Sequence, residues 1–141
     1  MDSLNKRINF LEEVVSQISL KDVRCIHARA EETGHLDEFR EIYDYCVSRA
    51  VADLAVLSAY CLPFVKIGGY FISLKGPNVQ EEIQGAQKAI DLLGGTIVEV
   101  KKVQLYQTEM TRSIVIIKKE KNTPAKYPRK AGKVTKNPIK S

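Results

Sequence analysis

Residues 43–76 read YDYCVSRAVADLAVLSAYCLPFVKIGGYFISLKG. Two short β-favouring runs, 43–50 and 69–76, enclose an apolar segment of helical length, 50–65. Pro63 marks its end, because a proline disfavours helical geometry in the residue before it. Gly68-Gly69 then turns the chain into the second run. A strand, a helix and a strand in that order predict parallel strands in an α/β layer.

Downstream, Pro77-Asn78 opens a second helix with Val79, Ile83, Ala86, Ile90 and Leu93 on one face and Gly94-Gly95 at its end. Asn78 is placed to cap it, with Glu81 at the capping-box position. TIVEVKKVQLY (96–106) and RSIVIIKK (112–119), separated by QTEMT, are close enough to pair antiparallel. Upstream, Leu4, Ile8, Leu11, Val15 and Ile18 fall on one face of a helix from about Ser3 to Ile18. VRCIHAR (23–29) reads as another strand, and residues 30–44 as a polar connection broken at Gly34. The order α-β-α-β-α-β-β implies an α/β fold with a mostly parallel sheet and a terminal antiparallel hairpin.

Composition bounds the rest. With 141 residues and 44% hydrophobic side chains, the chain is expected to make one ordinary domain or part of one. It has neither a spanning apolar stretch nor a signal-peptide pattern, which leads to an expectation of a cytoplasmic protein without a membrane partner. Cys25, Cys46 and Cys61 form no C-x-x-C pair, and His27 and His35 are not spaced for metal, so reduced thiols and no metal site are expected. No glycine-rich phosphate turn is present. The net charge of +5 divides unevenly: residues 121–141 hold seven of the 22 Lys and Arg and no acid, leaving 15 bases against 17 acids before them. The division is a domain over 1–120 and a basic, disordered tail over 121–141. Such a tail attracts phosphate, RNA above all, or merely solubilises the chain.

DSLNKRINFL (2–11), HARAEE (27–32), YDYCVSRAVADL (43–54), FISLKG (71–76), RSIVIIKK (112–119) and a KYPRK tail (126–130) together resemble the C-terminal part of the bacterial 16S ribosomal RNA small-subunit methyltransferase G family (RsmG/GidB). The resemblance runs nearly end to end. It implies a class I, Rossmann-like methyltransferase fold whose first strands and glycine-rich turn would precede residue 1. It also implies S-adenosyl-L-methionine as cofactor, and the N7 atom of a guanine in 16S rRNA, free or in the small ribosomal subunit, as acceptor. In the family's sheet order, 3-2-1-4-5-7-6, VRCIHAR would pair with strand two and YDYCVSRA with strand one.

The resemblance further places Asp2 on the cofactor ribose and Ala30 and Glu31 at the adenine edge. A solvated loop acid is the plain alternative for Glu31. Arg49 and Lys75, each at a strand end, are the expected catalytic-rim residues, Arg49 also touching cofactor and Lys75 also RNA. The alternative for Arg49 is an ion pair with Asp44 or Asp53. Lys6, Arg7, Lys126, Arg129 and Lys130 complete the expected RNA contacts. N7 carries a lone pair in neutral guanine, so no general base is demanded. Two functions are compatible with these residues: an rRNA guanine-N7 methyltransferase whose isolated chain is inactive, or a non-catalytic basic RNA-binding remnant. Unpaired strand edges imply weak stability or self-association.

Overall fold

A computed structural model of the chain describes residues 1–49 and 52–139; Ala50, Val51, Lys140 and Ser141, which belong to the expected strand end, helix start and tail end, lie outside the described residues. The elements are α1 (Asn5–Gln17), α2 (Ala30–Thr33), β1 (Tyr43–Arg49), α3 (Leu54–Cys61), β2 (Val65–Lys75), α4 (Gln80–Leu92), β3 (Gly95–Gln104), β4 (Thr111–Lys119) and α5 (Lys133–Lys136). The sheet order is β1-β2-β4-β3, with β1 parallel to β2 and both other pairs antiparallel. The α/β class and the terminal hairpin are therefore as expected, and the order coincides with the 4-5-7-6 half of the family sheet. The sheet is not mostly parallel, however: β1-β2 is its one parallel pair among the described residues, because the hairpin inserts β4 between β2 and β3.

One face of the sheet is covered. Phe71 on β2 and Val115 and Ile117 on β4 meet Leu54 and Leu57 of α3 and Ala86, Ala89 and Ile90 of α4, all buried. Asp53 caps α3 by accepting from the Ala55 N–H at 2.9 Å, and Glu82 accepts from the Leu54 N–H at 3.0 Å. These bonds satisfy donors that a helix start leaves free. Pro63 ends α3 as expected, in a 3₁₀ turn over Leu62–Phe64.

Several local readings are corrected. VRCIHAR is not a strand: His27 alone bridges Asp2, through Asp2 N–H to Ile26 O and Ala28 N–H to Asp2 O, both 3.1 Å. A ladder needs a run of facing backbone, and Asp2 gives it a single residue. Gly68-Gly69 does not turn the chain but lies within β2. There, four residues of β2, Lys66 to Gly69, oppose the single Asp44 of β1 between the Tyr43–Val65 and Tyr45–Tyr70 pairs, and Gly68 takes φ 85°. Gly69 backs onto the Asp44 carbonyl, where a Cβ would lie 2.6 Å from the oxygen. Asn78 does not cap α4; the buried Val79 is the N-cap, and its hydrocarbon side chain offers no acceptor to the helix start. Residues 30–33 of the expected connection form α2.

Over its described residues, 121–139, the expected disordered tail is packed. Thr123, Tyr127, Pro128 and Val134 are buried, and α5 adds a helical turn. Arg40 reaches into this segment, donating to the carbonyls of Gly34 (2.8 Å), Tyr127 (2.9 Å) and Thr123 (2.8 Å). His35 Nε2 donates to the Pro128 carbonyl at 2.6 Å. Fully buried Lys119 pairs with Glu41 at 3.0 Å and donates to Leu62 O and Thr123 Oγ1. Glu41 in turn accepts from the Thr123 N–H and from Asn122. Burial would raise the Glu41 carboxyl, but these bonds and Lys119 hold it below its ordinary value. Every anchor comes from the body of the fold, which is why tail composition did not reveal it.

Candidate functional site

A cleft of about 580 Å³ opens between the N-terminal segment and the free edge of β1. Asp2, Arg7, Ala30 and Glu31 line one side, Tyr43 and Tyr45 to Ser48 of β1 the other, and Leu57, Tyr60 and Cys61 of α3 the base. Its size is that of a small-molecule site. The chain reaches it because the single Asp2–His27 bridge holds the N-terminus alongside the start of α2.

Asp2 Oδ1 accepts from the Leu4 N–H at 2.8 Å, and Oδ2 faces Arg7 at 3.3 Å. The Leu4 backbone bond, with Arg7, lowers its carboxyl below the ordinary value, so it is ionised at neutral pH. Each oxygen keeps acceptor capacity for a further donor. Glu31 is buried and 3.8 Å from Arg29. Burial and the Glu31 charge raise the Tyr60 hydroxyl. Ala30 and Glu31 begin α2, and the fold thus brings Asp2, Ala30 and Glu31 to one cleft from positions nearly 30 residues apart.

The other expected residues are distributed differently. Arg49 is exposed at the end of β1, in register with Leu74 on the sheet face away from the helices; its neighbour Ser48, not Arg49, lines the cleft. Lys75 is not a rim cation. It is buried, paired with Glu82, and donates to the Ala52 carbonyl at 2.6 Å, because its position on β2 points inward with Phe71 and Ser73. Lys6 is exposed on α1, and Arg7 is tied to Asp2. In the C-terminal segment Lys126 lies 5.4 Å over the Tyr127 ring, Arg129 donates to the Asn137 carbonyl, and Lys130 is exposed. Asp44 pairs with Lys66.

Tyr60 and the cysteine pair were not foreseen. Cys61 donates to Cys46, which holds the Cys46 thiol below its ordinary value and, with burial, pushes Cys61 well above its own. Their 15-residue spacing carries no motif, and only the packing of α3 on β1 unites them. Among the described residues no cluster of three metal-ligating side chains occurs, and no helix is long and apolar enough to cross a membrane.

Comparison with known proteins bears on the fold and the family. The solved structure of M. jannaschii TYW2 in complex with AdoMet superposes with a TM-score of 0.53 over 79% of this chain and 53% of its own, at 15% identity, a likeness of fold. Ribosomal RNA small subunit methyltransferase G from Clostridium tetani is 54% identical over 140 residues, and those from Alkaliphilus metalliredigens and Alkaliphilus oremlandii are 56% and 57% identical. Each match covers 99% of this chain and 59% of the relative, so the chain spans about three fifths of the length of these relatives. The family model described as GidB, rRNA small subunit methyltransferase G, matches residues 1–114. The chain belongs to that family, the GidB or rRNA small subunit methyltransferase G family.

Proposed function

We propose that this chain carries the nucleoside side of the cofactor cleft, and part of the RNA-facing surface, of a cytoplasmic S-adenosylmethionine-dependent methyltransferase that acts on a guanine N7 of 16S rRNA. The observation that carries the reading is the convergence of Asp2, Ala30 and Glu31 on one cleft in a chain more than 50% identical to proteins of that name. Asp2, ionised and with free lone pairs, would accept from the two ribose hydroxyls, and the backbone of Ala30 with Glu31 would meet the adenine edge. When bound, the cofactor supplies a methyl group on an electrophilic sulfur. The protein has to hold the guanine in line and exclude water, since the N7 lone pair needs no base. Arg49, exposed at the carboxyl end of β1, is positioned to hold a phosphate or base edge as the acceptor enters. Lys6, Lys126, Arg129 and Lys130 would contact phosphate, with Arg7 divided between RNA and Asp2. Lys75, committed to Glu82, has no part in this reading. The outer edge of β1 has no neighbouring strand in the sheet, which supports pairing with a second copy.

One observation favours the non-catalytic alternative: no glycine lines the cleft, so nothing there matches the phosphate-type turn of dinucleotide sites. Both readings are tested by titrating the chain with S-adenosylmethionine. We expect binding in the millimolar range, about −4 kcal/mol, visible as saturation transfer to the ligand ribose and lost in Asp2→Ala. A ribose signal that survives Asp2→Ala removes Asp2 from the site. No saturation transfer at several millimolar ligand favours the non-catalytic reading.

A further inference from the structure

The β3–β4 hairpin runs past the sheet it belongs to. Lys75, the last residue of β2, pairs with Ser113, and Ser113 with Lys102. Two further pairs, Val103–Arg112 and Gln104–Thr111, follow before the turn. At about 3.4 Å per residue, the turn stands roughly 7 Å or more beyond the carboxyl end of β2, the end of the sheet where Arg49 also emerges. Ligands of open α/β sheets lie at that end. With strands about 4.8 Å apart, the turn is also some 10–15 Å to the side of β1.

The turn is built, not slack. Leu105 N–H donates to Met110 O at 2.9 Å and Thr108 N–H to Leu105 O at 3.1 Å, while Gln104 Nε2 reaches Thr108 O at 3.0 Å. Thr108 Oγ1 donates to Leu105 O and accepts from the Met110 N–H. Gln107 takes φ 57° to close it. Held on this frame, Tyr106 is 88% exposed. A shallow concavity of about 550 Å³ beside it is lined by Gln104, Leu105, Tyr106, Gln107, Thr108 and Glu109. Next to the turn the strands carry Lys102 and Arg112, with Lys101 paired to Glu99 at 3.3 Å, while Glu109 lies in the turn itself. An aromatic face, amide and carboxylate groups for a base edge, and surrounding positive charge are the parts of a site for an unpaired nucleobase.

We propose that the hairpin turn captures an unpaired base of the RNA next to the one presented to the cleft, with Tyr106 stacking on it and Gln107 and Glu109 meeting its edge. The inference rests on the reading of RNA as substrate. Tyr106 then fixes which strand segment can enter, and acts on recognition apart from the phosphate contacts of the C-terminal segment.

Fluorescence anisotropy of the 141-residue chain with a labelled single-stranded oligoribonucleotide, and with the same strand closed in a duplex, tests it. Tyr106→Ala should weaken single-strand binding roughly tenfold, leave duplex binding within twofold and keep the salt dependence, while Tyr106→Phe restores wild-type affinity. Its melting should match wild type, since the ring makes no packing contribution. A Tyr106→Ala variant that binds single strand within twofold of wild type overturns the proposal and leaves the RNA reading standing. A wild-type chain that prefers the duplex overturns it likewise, and one that binds neither RNA overturns both. The paired substitution Lys126→Ala with Lys130→Ala should instead weaken both RNAs and flatten the salt dependence; its failure to do so counts against the phosphate contacts alone.

Discussion

Residues 5–17 form a regular three-turn helix that buries one side chain, Ile8, and leaves Phe10 67% and Leu11 41% exposed. Residues 122–136, with no regular structure beyond the single turn of α5, bury Thr123, Tyr127, Pro128 and Val134. Regularity and burial are thus separate properties in this molecule. The helix pairs its interior backbone groups within itself, whereas the irregular segment needs external partners for its polar backbone, which it finds in Arg40, Glu41 and His35, with Lys119 holding the Thr123 hydroxyl. Fixing the second segment therefore rests on a few polar anchors, and fixing the first on almost nothing outside itself.

The largest effect should come from removing the central anchor. Glu41→Ala leaves the Lys119 ammonium buried without its carboxylate and frees both the Thr123 N–H and Asn122. The loss should be about 3 kcal/mol in urea denaturation, at the lower end for a broken buried pair because Glu41 lies at the surface side. Since Glu41 titrates below its ordinary carboxyl value of 4.5 in the fold, its contribution is present above that pH and fades as pH falls through the folded value. Acid titration of stability should accordingly be shallower in Glu41→Ala than in wild type below about pH 4.5. Equal slopes would show that the strap is held without this carboxylate.

Next in size is Arg40→Met, which withdraws the donors to Gly34, Thr123 and Tyr127 while keeping most of the apolar stem. With charged hydrogen bonds worth about 1.5–3 kcal/mol and water able to replace some at this partly exposed site, about 2 kcal/mol is expected. The amides of residues 123–136 should lose protection from hydrogen exchange before those of α4. Uniform loss across both would mean that the segment and the core open as one unit.

The legibility of the sequence follows the same division. Patterns with a local cause were readable: the apolar spacing of α4, the proline ending α3, and the two runs that became β3 and β4. The parallel pair followed from the intervening helix. What escaped notice needed partners distant in the chain. VRCIHAR has strand chemistry, but whether it makes a ladder depends on its neighbour, and Asp2 gives it one bridge. Lys75 reads as a free rim base from its place at a strand end, whereas alternation along β2 turns it inward to Glu82. The tail reads as disordered because most of its anchors, His35, Arg40 and Glu41, lie 82 to 93 residues away in the chain. Within the site, Asp2, Ala30 and Glu31 were legible only through the family resemblance; no spacing rule connects them.

The smallest effect should fall on α1. Leu4, Leu11 and Ile18 share a stripe with Ile8, yet all three are exposed, so truncating one removes little apolar area from a packed environment. Leu11→Ala should change stability by no more than about 0.5 kcal/mol, and alanine's better helix propensity offsets part even of that. Ile8→Ala on the same helix should cost more, since its side chain is enclosed. The comparison breaks if Leu11→Ala costs above about 1 kcal/mol with a midpoint that rises with protein concentration in wild type alone. That pattern requires the stripe to be covered in solution by another copy of the chain, because only an intermolecular partner makes stability depend on concentration. A concentration-independent midpoint in both proteins leaves α1 as a helix standing on its own backbone bonds, with its apolar stripe open to solvent.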